Sequence, residues 1–433
     1  MNQTRGSQAR GVSRREFVKA AVAIGGGAAL SACLGREEVD LPQGPDDPST
    51  LPERQHAWDD ALPRDDAGNV VPPRHRVLRL LDYAGDETPT AAERETVETA
   101  LRSLERAYPR EAEGLFVTVS YSPAYFDRFD ADLPLDLPEP EAMAPFEDPA
   151  LDRPDAVVHL ASNYGSVALG AEQALLGEQS TLNGVEVADD VSGVFEPADL
   201  AGDGPARRTG FIGEGLPADN QDVDGVPDSE PVPEESPLYM GFKSGFEKNQ
   251  ASEDSVTIGE GPFAGGTTQH LSQIRLHLQQ WYEQDSRFHR EATMFCPVHA
   301  EEGRIEGVGE NLGDSSDTNA ECIENVEDHA REHGVVGHSQ KNARARDGDE
   351  PLMIRRDFDS TDGGLAGVHF LSLQASIADF VETREAMNGT EVADSAAVGE
   401  RTNNGILQYL TVERRGNYLL PPRSHRALPG PRP

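Results

Sequence analysis

Lysine is nearly missing from this chain of 433 residues, which has only Lys19, Lys243, Lys248 and Lys341. Lys and Arg together number 38 against 77 Asp and Glu, a formal charge of −39. That balance argues against nucleic-acid binding, which needs clustered cations facing phosphates. Acid spread along the whole chain, with Arg favoured over Lys, reads as adaptation to high salt, where self-repulsion is screened. Any single Asp/Glu cluster is therefore read first as a solvated surface.

Long apolar runs are scarce too. The stretch Ala20–Ala32 is 13 residues, short of the about 20 that a membrane-spanning helix needs. It follows Ser13-Arg14-Arg15-Glu16-Phe17-Val18-Lys19, which reads as a twin-arginine export signal to be set aside from the fold. Leu30-Ser31-Ala32-Cys33 resembles a lipobox, implying cleavage before Cys33, lipidation of its thiol, and a cell-surface or secreted location. That lipid would be the chain's only link to a membrane.

Cysteine is the third scarcity. Besides Cys33 there are only Cys296 and Cys322. Outside the membrane a disulfide between them is the simplest reading. Cys296 and His299, with Cys322, His329 and His333, could instead hold zinc, and free thiols are a third case.

What is present divides the chain. Residues 1–33 are the signal, and 34–73, rich in Pro and acid, read as a disordered tether. Strand patterns at His75–Tyr83, Leu115–Tyr121 and Ala156–Ala161 alternate with helices at Thr90–Tyr108 and Tyr164–Leu176, a ferredoxin-like order. A loop-rich region closes this first module, residues 74–235. Within it Asp219–Asp228 has carboxylates spaced like a calcium loop but lacks the terminal bidentate Glu. The second module, 236–425, repeats the alternation. Thr267–Gln284 reads as a helix from the spacing of Leu271, Ile274, Leu278 and Trp281. A strand follows at Gly367–Leu373, a helix at Ile377–Met387 and a last strand at Gly416–Leu420. Residues 426–433 read as a frayed tail. The expected class is α+β, two ferredoxin-like modules with antiparallel sheets.

Three segments carry the chemistry: Gly241-Phe242-Lys243-Ser244-Gly245, His338-Ser339-Gln340-Lys341-Asn342-Ala343-Arg344, and Ile354-Arg355-Arg356. In this order they resemble the haem-site segments of the dye-decolourising (DyP-type) peroxidases. Pro262–Thr267 with Ile274-Arg275-Leu276-His277, and Phe370–Ile377 with Phe380, add to the likeness, which runs from about residue 75 to 425. It implies a dimeric α+β barrel binding haem b, hydrogen peroxide as oxidant and a small, dye-like organic reductant. Homo-oligomerisation stays open.

On that resemblance His338 is the iron ligand, and Arg355 is the distal group that steadies charge as the O–O bond breaks. Gly241, Phe242, Gly245, Gly266, Thr267, Arg275, Asn342 and Arg344 join His338 and Arg355 around the haem. Two departures stand out. Ser244 occupies the place of the family's distal Asp, whose carboxylate moves the peroxide proton, so Asp357 or Glu247 would have to replace it. An arginine suited to a haem propionate is replaced by Ser272 or Gln273. The expected activity is an exported haem peroxidase with Arg355, Ser244 and Asp357 as catalytic groups. The alternative is a non-catalytic haem-binding or iron-handling surface protein.

Overall fold

Thr90 accepts a hydrogen bond from the Glu93 amide while the Glu93 carboxylate caps Thr90 in return. This capping box starts helix α1 (Ala91–Ala107) where the sequence pattern places it. The computed structural model describes residues 39–202, 204–227, 232–312, 320–393 and 397–433. The twin-arginine segment, Cys33 and Asp228 lie outside the described residues. No helix among the described residues is long and apolar enough to cross a membrane.

The first module contributes β1 (His75–Tyr83), α1, β2 (Phe116–Tyr121), β3 (Ala156–Ser162), α2 (Gly165–Leu175) and β4 (Arg207–Phe211). Its strands lie in the order β4-β1-β3-β2, all antiparallel. The second contributes β5 (Thr267–Leu276), α3 (Arg287–Met294), α4 (His338–Asn342), β6 (Ile354–Arg355), β7 (Phe358–Ser360), β8 (Gly367–Gln374), α5 (Ile377–Asn388) and β9 (Leu410–Leu420). Here the order is β9-β5-β8-β7, again antiparallel. Both are the ferredoxin-like arrangement. Single pairings, Asp359 with Phe211 and Leu419 with Tyr121, join their edges and close eight strands into a barrel. Leu41–Pro433 forms one compact unit.

Thr267–Leu276 is a strand, not the first half of a helix. Both faces of β5 are covered: Leu271 packs into the barrel with Leu371 and Tyr418, and His270 and Ser272 are buried on the other face. A strand covered on both sides shows no period-two alternation, and its few aliphatics happen to fall three and four apart. Only the last residues of the expected helix, 278–284, are helical, ending in a short π-type turn at Gln280–Gln284.

The two ends also differ from expectation. From Leu41 onward the acidic segment is not a free tether. Trp58 is 1% exposed and stacks on Phe116 with ring centroids 4.4 Å apart. Gln55 donates to the carbonyls of Val119 and Pro421 and accepts from the Val119 amide. At the far end Arg426 and Leu428 are buried. Arg426 is ion-paired with Glu98 and Glu105, and the Leu428 amide donates to the Tyr121 hydroxyl at 2.8 Å. The tail is docked.

Cys296 and Cys322 form a disulfide. The zinc alternative falls with it, since thiolates are no longer there to ligate. Among the described residues no group of three or more His, Cys, Asp or Glu is gathered to hold a metal ion, and that includes the described part of the Asp219–Asp228 loop.

Candidate functional site

The helices treat the two sheets differently. In the first module α1 and α2 close on the sheet, burying Val97, Leu101, Leu104, Val167, Ala168 and Ala171. In the second module a cavity of about 200 Å³ lies between the sheet and α3, α4 and α5. Ser272, Ile274 and Leu276 of β5, Val368 and Phe370 of β8, and Leu410 and Val412 of β9 form its sheet wall. Phe380, Thr383, Arg384 and Met387 of α5, with Met294, Phe295, His338 and Asn342, form the helical wall. The wall is mostly apolar, and four of the chain's six methionines line it: Met240, Met294, Met353 and Met387.

His338 opens the short helix α4. Gly337 precedes it, and the Phe295 carbonyl accepts from the Gln340 amide at 3.2 Å. Gln340 also bonds the Cys322 carbonyl at 2.7 Å, so the disulfide region holds α4 in place. On the other side buried Lys341 reaches the Met387 and Asn404 carbonyls, tying α4 to the end of α5. Burial, then the nearby charges of Arg355, Lys341 and Arg384, pushes the His338 imidazole down to about 3. Its ring is therefore neutral at ordinary pH, the form that ligates a metal. The Asn342 amide nitrogen lies 3.0 Å from Nε2 and 3.4 Å from Nδ1.

The loop Gly241–Gly245 delivers Phe242, Lys243 and Ser244 to the cavity. Both glycines have positive φ, 83° and 77°, a conformation that side chains resist. Phe242 packs edge-on against Phe295 and Trp281. Lys243 is ion-paired with Asp65. Arg355 is gripped by Gln250, which accepts from its amide at 2.8 Å and donates to its carbonyl at 2.9 Å. The Arg355 guanidinium donates to the Asn249 carbonyl at 3.4 Å.

Ser244, Arg355 and Asp357 line the cavity together with His338, and they also line an open cleft of about 960 Å³. They form the boundary between the two spaces. Glu247 lines only the cleft and pairs with Arg64. Burial pushes the Asp357 carboxyl up to about 6, against the lowering pull of Arg355 and of the Leu371 amide that it accepts. Asp359, two residues on, is 1% exposed and is raised well above the usual carboxylate range, mainly by burial.

The structure thus brings His338, Ser244, Arg355, Asp357, Phe242 and Asn342 to one cavity. It does not bring the others there. Arg275 is on the opposite side of β5 from Ile274 and is exposed. Arg344 pairs with Glu391 and donates to the Ala386 carbonyl. Thr267 is buried with its hydroxyl on the Val256 and Gln374 carbonyls. A Cβ on Gly266 would sit 2.7 Å from the Leu420 carbonyl oxygen, so this glycine serves strand approach. Gly241 and Gly245 shape the loop and do not line the cavity.

Sequence reasoning missed Asp359, Arg384 and Arg415, which all line it. Arg415 gets there by a β-bulge. The β5–β9 register shifts between Val412 and Arg414, so Leu410, Val412 and Arg415 share the cavity face. Arg414 turns away and pairs with Asp152. Only a register read from structure reveals this.

A family model described as "Family of unknown function (DUF7405)" matches residues 73–422, and the chain belongs to that family. No curated protein matches it. Among solved structures it is similar to the encapsulated DyP-type peroxidase from Mycobacterium smegmatis, with 14% identity and TM-score 0.54, covering 86% of this chain and 100% of that one. The DyP-type peroxidase from Cellulomonas bogoriensis gives 16% identity and TM-score 0.54, covering 84% and 93%. A Rhodococcus jostii DypB variant in complex with heme gives 14% identity and TM-score 0.51, covering 82% and 96%. At these identities the likeness shows the fold, which is that of the DyP-type peroxidases.

Proposed function

We propose that this member of the DUF7405 family is an exported haem protein of the DyP peroxidase type that reduces hydrogen peroxide and oxidises a small organic reductant. One observation carries the reading: neutral His338 and Arg355 line the same apolar-walled cavity, with Ser244 and Asp357 beside Arg355. The donor set fits haem: one neutral imidazole, an apolar slot and cationic groups for the porphyrin's acidic edge. The heme-bound DypB variant of the same fold supports it.

In this reading His338, held by the α4 contacts, would bind the haem iron. A haem iron, when bound, supplies the centre at which peroxide is cleaved. Arg355 would donate hydrogen bonds to the peroxide and offset negative charge as the O–O bond lengthens. Ser244, a poor base at neutral pH, holds a water. Asp357 would take a proton from hydrogen peroxide and give one to the leaving oxygen, general acid–base work that contributes typically 10²–10⁴-fold. Its raised pKa favours that task, and its place in the cavity favours it over Glu247. The cleft on the far side of these residues receives the reductant. Export by the Ser13–Lys19 signal and a lipid at Cys33 complete the proposal.

A second reading, a haem-binding protein without turnover, is favoured by Ser244, a hydroxyl in the cavity at the place where the resemblance expects a carboxylate. The cavity's volume of about 200 Å³ is below the roughly 300–1,000 Å³ of typical ligand pockets. Loading therefore needs the walls to yield, which flexible methionines allow. The deciding experiment adds hydrogen peroxide to haem-loaded protein and follows peroxide loss with dye oxidation. Turnover supports the peroxidase; peroxide left unconsumed leaves only the binding role.

A further inference from the structure

Arg415 is 1% exposed, lines the cavity, and among the described residues its Nε and Nη1 have no hydrogen-bond partner. Its Nη2 donates to Glu147 at 2.8 Å, and Arg384 holds the other oxygen of the same carboxylate at 2.5 Å. Two guanidinium groups thus share one carboxylate at the cavity wall, leaving one positive charge in excess. A buried charge without a full counter-charge is strongly unfavourable, and an orphaned buried donor adds to that. Burial first, and then repulsion from Arg384, lowers Arg415 to about 10 despite Glu147. The wall is built to receive one more anion.

We propose that Arg415, backed by Glu147 and Arg384, is a carboxylate-binding site that takes a propionate of the porphyrin. The inference rests on the haem reading above. Ser272, where a propionate-side arginine was expected, is the cross-strand partner of Arg415, so the two side chains leave the same face of the sheet. The Ser272 hydroxyl is already engaged by His270 Nε2 at 2.7 Å. The bulge in β9 therefore supplies from one strand the guanidinium that its neighbour lacks. Its free Nε and Nη1 each offer an N–H for a charge-assisted hydrogen bond to a carboxylate oxygen.

The test is a binding titration of the haem-free full chain with haem and with haem dimethyl ester, whose propionates carry no charge. The expected result is about 10- to 100-fold tighter binding of haem, the range for a charge-assisted hydrogen bond. Arg415→Gln should abolish that preference, and Arg355→Gln should keep it. Equal affinity of the wild type for acid and ester would overturn the site while leaving haem binding intact. So would loss of the preference in Arg355→Gln with its retention in Arg415→Gln. Failure of either porphyrin to bind the wild type would instead remove the haem reading itself. The wild-type comparison needs no variant to fold.

Discussion

Gly337 lies so close to Phe295 that a Cβ on it would sit 1.8 Å from the Phe295 carbonyl oxygen. That oxygen accepts from the Gln340 amide, so the contact fixes where α4 starts and where His338 points. Gly337→Ala must push α4 away from Phe295. The expected cost is about 1–3 kcal/mol of stability, as for other overpacked sites, together with weaker haem binding. Thermal melts and a haem titration check both. An alanine variant that matches the wild type in each would show that the helix is not held this way.

Asp357 and Glu247 offer a direct comparison of the two replacement carboxylates. Asp357→Asn should slow the reaction of haem-loaded protein with peroxide by about 10²–10⁴-fold, and Glu247→Gln should change it little. Stopped-flow mixing measures both. A reversed order would move the proton-transfer role to the cleft.

The same carboxyl sets a pH dependence. It accepts a proton only when ionised, so the peroxide reaction should rise with pH through about 6. Its folded pKa lies above the about 3.9 of an ordinary aspartate, so the folded state binds more protons between about 4 and 6. Stability from this group is therefore lost as pH rises across that window. Asp357→Asn should flatten both profiles, and a wild-type slope surviving in the variant would assign the titration elsewhere.

The disulfide anchors the chain around α4. Replacing Cys296 and Cys322 together by Ser should cost roughly 3 kcal/mol by the loop-closure estimate, for a sequence separation of 26. Chemical denaturation of the two proteins gives the difference, and coincident curves would argue that the bond constrains little.

Trp58 reports on the segment expected to be a tether. It packs on Phe116, with the Arg356 guanidinium 4.0 Å from its ring centre. Trp58→Ala should destabilise by about 3–5 kcal/mol. A free tether would show no change.

Much of this was legible in the sequence for physical reasons. The strands at His75 and Ala156 and the capped helix at Thr90 have periodic apolar faces, and the Gly241, His338 and Arg355 segments fall on one cavity. Other features left no such trace. β5 hid because polar side chains fill both of its covered faces. Arg415 hid because a bulge between Val412 and Arg414 exchanges which arginine faces the cavity. Trp58 and Leu428 hid because a few buried groups anchor segments whose composition is otherwise that of a solvated chain. Arg275 and Arg344 matched a pattern, yet the geometry sends them elsewhere.

In the proposed function His338 holds a haem iron in the cavity it shares with Arg355. The most direct measurement is the absorption spectrum of full-length protein mixed with one equivalent of haem, beside His338→Ala. The expected result is a sharp Soret band at one haem per chain, lost or shifted in His338→Ala and restored by added imidazole. A wild type that gives only the spectrum of free haem, or a His338→Ala protein with an unchanged band, would contradict it.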